Sequence, residues 1–152
     1  MKTLTSEDII LQMVQMELQA MHFYQHAAGC LQDEDARFHF ELLADEELEH
    51  ARSFHALLPS PEAVSFEEME QAPPQPCDEV DCAALAGFNQ LQALEMALRL
   101  ERKVEQDLRR RCETINDAQA RAVLEKNIYS TEGHALLIAE DLERLRSSGT
   151  GS

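Results

Sequence analysis

Apolar residues recur along this chain at steps of three and four, and four separate stretches each trace one face of a helix. Ile10, Met13, Ala20 and Tyr24 mark the first face, and Ala36, Phe40, Leu43, Phe54 and Leu57 the second. Leu91, Leu94, Leu98 and Leu108 mark the third, and Ala120, Leu124, Ile138 and Leu145 the fourth. The first helix is predicted from about Thr5 to Gly29, with Thr5 and Asp8 placed as a capping pair. Asp33 caps the second, which ends near Leu58 ahead of Pro59 and Pro61. The third is expected from about Asp81 to Cys112, and the fourth from just after Asn116 to near Arg146. Residues 59–80 hold all five prolines and read as one long connection. Helices of about 25 residues span roughly 38 Å, a distance that such a connection can cover on its way back along a bundle. The expected fold is therefore all-α: a four-helix bundle over residues 1–147, two antiparallel hairpins joined by a crossover at 59–80. Residues 148–152 are expected to form a short flexible tail.

Each apolar face is interrupted by a polar side chain at its middle. Glu17 breaks the first, Glu47 and His50 the second, Glu101 the third, and Asn127, Thr131 and His134 the fourth. An uncompensated carboxylate in a core costs several kcal/mol, so a partner is required. For carboxylates and imidazoles spaced one helical turn apart, as in Glu47 and His50, the natural partner is a metal cation. The alternative is a metal-free network, in which three neighbouring carboxylates would have to take up protons.

A faint internal repeat supports the metal reading. Glu17 precedes His50 by 33 residues, and Glu101 precedes His134 by the same interval. An offset of 84 lays Glu17 on Glu101, Asp33 on Asp117, Ala36 on Ala120, Arg37 on Arg121, Glu41 on Glu125, His50 on His134 and Ala51 on Ala135. Only 8 identities survive between 17–58 and 101–142, but both ligand-type pairs are among them.

Composition narrows the function classes. A net charge of −16 argues against nucleic acid and anionic membranes as partners and would gather cations at the surface. No apolar run approaches membrane-spanning length, and no signal-peptide pattern opens the chain, so a cytoplasmic location is expected. In that setting Cys30, Cys77, Cys82 and Cys112 read as free thiols, with a Cys77–Cys82 redox pair as the alternative. His22, His26, His39 and His55 lie off the ligand faces and read as solvated, as do Glu46, Glu49 and the acidic run at 67–70. No residue stands out as an axial haem ligand.

Glu17 with Tyr24 seven positions on, the run Ala44-Asp45-Glu46-Glu47-Leu48-Glu49-His50-Ala51, Glu101, and Glu132-Gly133-His134 together resemble the ferritin-like superfamily. The rubrerythrin branch is the most similar, over about residues 7–146. The resemblance implies two iron ions between the helices, with manganese or zinc also suited to such ligands. It places Glu17 and His50 as terminal ligands of one ion and Glu101 and His134 of the other. Glu47 would bridge them, and Tyr24 would hydrogen-bond beside the site. It also implies a homodimer.

One position departs from that pattern. A second bridging Glu belongs three residues before His134, where Thr131 stands; Glu132 lies about 200° around the helix from His134. Asn127 and Thr131 share the inward face and could hydrogen-bond or coordinate weakly. The second ion is therefore expected to bind weakly, to need an exogenous bridge, or to be absent. The resemblance implies reduction of peroxide or dioxygen, and because no rubredoxin-type Cys-x-x-Cys pair is present, electrons would come from an external rubredoxin-like donor. Ferroxidase activity with iron storage, or a non-catalytic metal-binding helical module, are the alternatives.

Overall fold

The computed structural model describes residues 4–72 and 81–148, and every regular element among them is helical. Six α-helices follow in order: α1 (Ser6–Cys30), α2 (Glu34–His55), α3 (Phe66–Gln71), α4 (Cys82–Ala86), α5 (Gln90–Thr114) and α6 (Ala118–Ser148). A single 3-10 turn, Pro61–Ala63, precedes α3. No helix among them is long and apolar enough to cross a membrane.

The ends of the long helices are set by local chemistry. Thr5 caps α1 in a complete capping box with Asp8, and the Asp33 carboxylate accepts from the Ala36 amide to start α2. Three-residue connections at 31–33 and 115–117 force α1 against α2 and α5 against α6 as antiparallel neighbours. Further contacts join α1 to α6 and α2 to α5. Phe40, Ile9, Met13, Leu31, Leu94, Leu108, Leu124 and Leu142 are the largest fully buried apolar side chains of this packing. Each contributes about 1.5–3 kcal/mol by leaving water.

The stretch expected as one helix from Asp81 to Cys112 is two. Gly87 ends α4, and Asn89 opens α5 through a capping box with Gln92, so the backbone turns between them. The long connection holds the 3-10 turn and α3. The Phe66 ring of α3 meets the His55 ring at 5.4 Å and the Arg52 guanidinium at 5.3 Å. His55 is thus no solvated histidine: its Nε2 lies 2.6 Å from the Val64 carbonyl and ties the crossover to the end of α2. Because α2 stops at His55, Leu57 falls off its buried face and is 42% exposed. Pro73 to Pro76, Cys77 and the tail at 149–152 lie outside the described residues.

The free-thiol expectation is overturned at two positions. Cys30, the last residue of α1, is disulfide-bonded to Cys82, the first residue of α4, which also excludes a Cys77–Cys82 pair; Cys112 is a buried free thiol. Disulfides persist in oxidising surroundings, so cysteine usage gives no support to a cytoplasmic location. The bond closes a loop of 52 residues. For that length the chain-entropy estimate is about 4 kcal/mol of stabilisation. Cys82→Ala should therefore lower the denaturant midpoint by an amount equivalent to about 2–4 kcal/mol. Reduction with a dithiol should reproduce that shift in the parent chain and leave the variant unmoved.

Candidate metal centre

Glu17 on α1, Glu47 on α2, Glu101 on α5 and His134 on α6 are all buried at mid-helix, with Glu47 only 4% exposed. Tyr24 lies among them, held edge-on by Phe23 and Phe40 at ring distances of 5.5 and 5.3 Å. That clamp fixes the phenol, whose Oη donates to Glu101 Oε1 at 2.9 Å.

The two imidazoles turn the same way. His134 Nδ1 faces inward, 3.2 Å from Glu47 Oε1 and 3.9 Å from Glu101 Oε1. His50 Nδ1 lies 3.9 Å from Glu17 Oε2, and the two rings are 4.7 Å apart. Each outer nitrogen has its own partner: His134 Nε2 bonds Glu46 Oε2 at 2.8 Å, and His50 Nε2 meets Ser130 Oγ at 3.3 Å. Outer contacts of this kind fix ring orientation and leave the inner nitrogen to a metal. Glu47, His50 and His134 each offer a ligand atom within 4.8 Å of the others.

Protons partly neutralise this cluster. Burial, then the Glu47 and Glu101 carboxylates, hold the Glu17 carboxyl well above its usual value, so Glu17 holds its proton more tightly than a free carboxyl does and shares it with Glu47. Burial pushes Glu47 up as well, but hydrogen bonds from Glu17 and His134 outweigh it and hold Glu47 below the usual range. Burial also raises Glu101. It opposes charge on His134, yet the Glu101, Glu46 and Glu47 carboxylates push that imidazole up to about 12. His50 is lowered by burial and is neutral near pH 7. Tyr24 is raised well above its usual value by burial and by Glu101 and Glu47, so it stays a donor. The cluster is a set of donors held together by protons that a divalent cation can displace.

Asn127 and Thr131 are buried on the same face of α6 but turn their polar atoms elsewhere. The Asn127 amide donates to Met13 Sδ at 3.0 Å, and Thr131 Oγ1 donates to the Asn127 carbonyl at 2.9 Å. Glu132 points outward, where Arg109 reaches it at 3.5 Å. On α6, His134 is thus the one ligand-type side chain brought to the cluster.

Glu46 and Ser130 escaped the sequence reading. Glu46, expected as plain surface charge, is half exposed, yet the His134 bond holds its carboxyl below the usual range. Its signal was slight: it adjoins Glu47 but sits about 100° off the apolar stripe. Glu46→Gln should weaken metal binding about 10- to 100-fold by loosening His134, read by competition against a chromophoric chelator. Comparison with family models, curated proteins and solved structures finds no match for this chain.

Proposed function

We propose that the chain is a ferritin-like four-helix bundle whose core holds two iron ions and reduces peroxide or dioxygen. The observation that carries this is the convergence of Glu17, Glu47 and Glu101 with the inward Nδ1 atoms of His50 and His134. Three carboxylates and two imidazoles are a donor set that iron and manganese accept, and that zinc tolerates. Glu17 and His50 would hold one ion, Glu101 and His134 the other, and Glu47 both. Two ferrous ions there would supply the two electrons that an O–O bond needs.

The chain's own residues have plainer tasks in this reading. Tyr24 orients Glu101 through its 2.9 Å hydrogen bond and carries a proton beside the site. Glu46 and Ser130 hold the two imidazoles in register. Phe40, packed edge-on against Tyr24 and fully buried, keeps water from that side of the site. An external single-electron donor such as a rubredoxin-like protein completes the cycle, and a homodimer is the proposed assembly.

The test is an anaerobic titration with ferrous salt, followed by one equivalent of hydrogen peroxide. The expected result is two irons per chain, oxidised faster by peroxide than by air. Assemblies loaded with far more iron than two per chain would instead indicate storage.

A single-ion, non-catalytic module is the second reading, favoured by Glu47, His50 and His134 as the compact group and by Thr131 bonding its own backbone. Thr131→Glu separates the two. It supplies the missing carboxylate on the inward face of α6 and should tighten the second, weaker binding step at least tenfold in calorimetry. Unchanged stoichiometry and affinity would favour the single-ion reading.

A further inference from the structure

A cavity of about 200 Å³ lies between α1 and α5 and ends at the acidic cluster. Its walls are mostly apolar: Met16, Ala20 and Phe23 from α1, and Leu100 and Val104 from α5, all half-buried, with the Gln19 side chain beside them. Its floor is polar, with Glu17, Tyr24, Glu47, Glu101 and Thr131. Pockets that are mostly apolar with a few convergent polar groups are the usual form of small-molecule sites. An apolar cavity of about 150 Å³ is enough for benzene.

We propose that this cavity binds a small neutral molecule with an apolar body of aryl size and a single oxygen-bearing end. Within the function proposed above, on which this last step rests, the ligand is an organic hydroperoxide.

Charge excludes an anion. Among the described residues no lysine or arginine lines the cavity, while its floor carries three acidic side chains in a chain of net charge −16. The floor instead suits an O–H group. The Tyr24 and Thr131 hydroxyls spend their protons on Glu101 and on the Asn127 carbonyl, which leaves oxygen lone pairs free to accept. A ligand with one hydroxyl end therefore enters end-on, its apolar body against the α1 and α5 walls. Hydrogen peroxide has no apolar body and gains nothing from those walls.

The reaction balances as R–O–O–H plus two electrons and two protons giving R–O–H and water. The O–O bond breaks, one O–H bond forms on each oxygen, and an external single-electron carrier protein supplies the electrons one at a time.

The probe is 2-phenyl-2-propanol, the alcohol left when cumene hydroperoxide is reduced. It is titrated into the full chain, metal-free and zinc-loaded, while methyl signals of Met16, Ala20 and Val104 are followed by NMR. Saturable shifts confined to this cavity are expected. Ala20→Phe and, from the opposite wall, Val104→Phe should each weaken binding at least tenfold with zinc content unchanged. Absence of saturable shifts, or binding indifferent to both variants, would overturn the proposal. So would sedimentation showing the cleft closed by a second copy that the alcohol cannot displace.

A parallel assay on the ferrous protein separates ligand binding from peroxide reduction. Preference for cumene hydroperoxide over hydrogen peroxide by tenfold or more in kcat/KM supports the hydroperoxide assignment. Alcohol binding with neither peroxide reduced overturns the reductase reading and upholds the binding site. Hydrogen peroxide reduction without alcohol binding overturns the binding site alone.

Discussion

Glu47→Ala should abolish tight metal binding, with affinity falling at least a hundredfold and peroxide-driven oxidation lost with it. Glu47 is the one carboxylate that touches both ligand pairs: it shares the Glu17 proton and lies 3.2 Å from His134 Nδ1. No neighbour can replace it. Glu46 is turned outward against His134 Nε2, and Thr131 is bonded to backbone. Metal-free, the same variant should not be catastrophically unstable. With Glu47 removed, burial and Glu101 still favour the protonated form of Glu17. Breaking a buried ion pair commonly costs about 3–5 kcal/mol, and here the exposed Glu46 remains to pair with His134. Chelator competition and thermal melts on the same samples separate ligand loss from unfolding. Retention of two tightly bound ions would sink Glu47 as the shared ligand.

The second large effect is the coupling of metal binding to protons. A cation at this site must displace the proton on Glu17 and that on His134, because both groups are held above their ordinary values. Each proton released at a given pH makes affinity rise about tenfold per pH unit. His134, pushed up to about 12, supplies one proton throughout the neutral range. Glu17 supplies a second wherever pH lies below its raised value. The slope of log affinity against pH should thus lie between one and two near neutrality, measurable by calorimetry in buffers of different ionisation enthalpy. A slope of zero would contradict the protonated cluster.

The same shifts fix the sign of the stability change in metal-free protein. A group whose folded pKa is raised stabilises most below its unfolded value and loses that contribution as pH climbs through the folded value. For His134 the loss begins above about 6.5 and continues toward 12; for Glu17 it begins above 4.5. Below 6.5 the lowered His50 opposes this trend, so metal-free protein should melt at progressively lower temperature as pH climbs from about 6.5 into the alkaline range, while metal-loaded protein should not.

How much of this was legible in the residues follows from how local each feature is. The helix starts at Thr5 and Asp33 and the buried acids at 17, 47 and 101 are written in periodicity and capping, which act over three or four residues. The break between α4 and α5 was also written locally, in Gly87 and the Asn89 cap, but the helix expected from Asp81 starts ahead of both. Features that depend on distant packing were hidden. Cys30 and Cys82 pair across 52 residues, so no spacing rule announces them. Glu46 reaches His134 only because α2 and α6 bring positions 46 and 134 together, and Ser130 reaches His50 by the same geometry. Thr131 was visible as a departure; that its hydroxyl turns to the Asn127 carbonyl could be learned only from the folded chain.

The most direct measurement is anomalous diffraction at the iron edge from crystals grown anaerobically with ferrous salt. Density is expected among Glu17, Glu47, His50, Glu101 and His134, with the Glu17–Glu47 hydrogen bond broken and both carboxylates turned to the metal. Crystals that diffract well, yet show no iron there and keep that hydrogen bond closed at saturating salt, would contradict it.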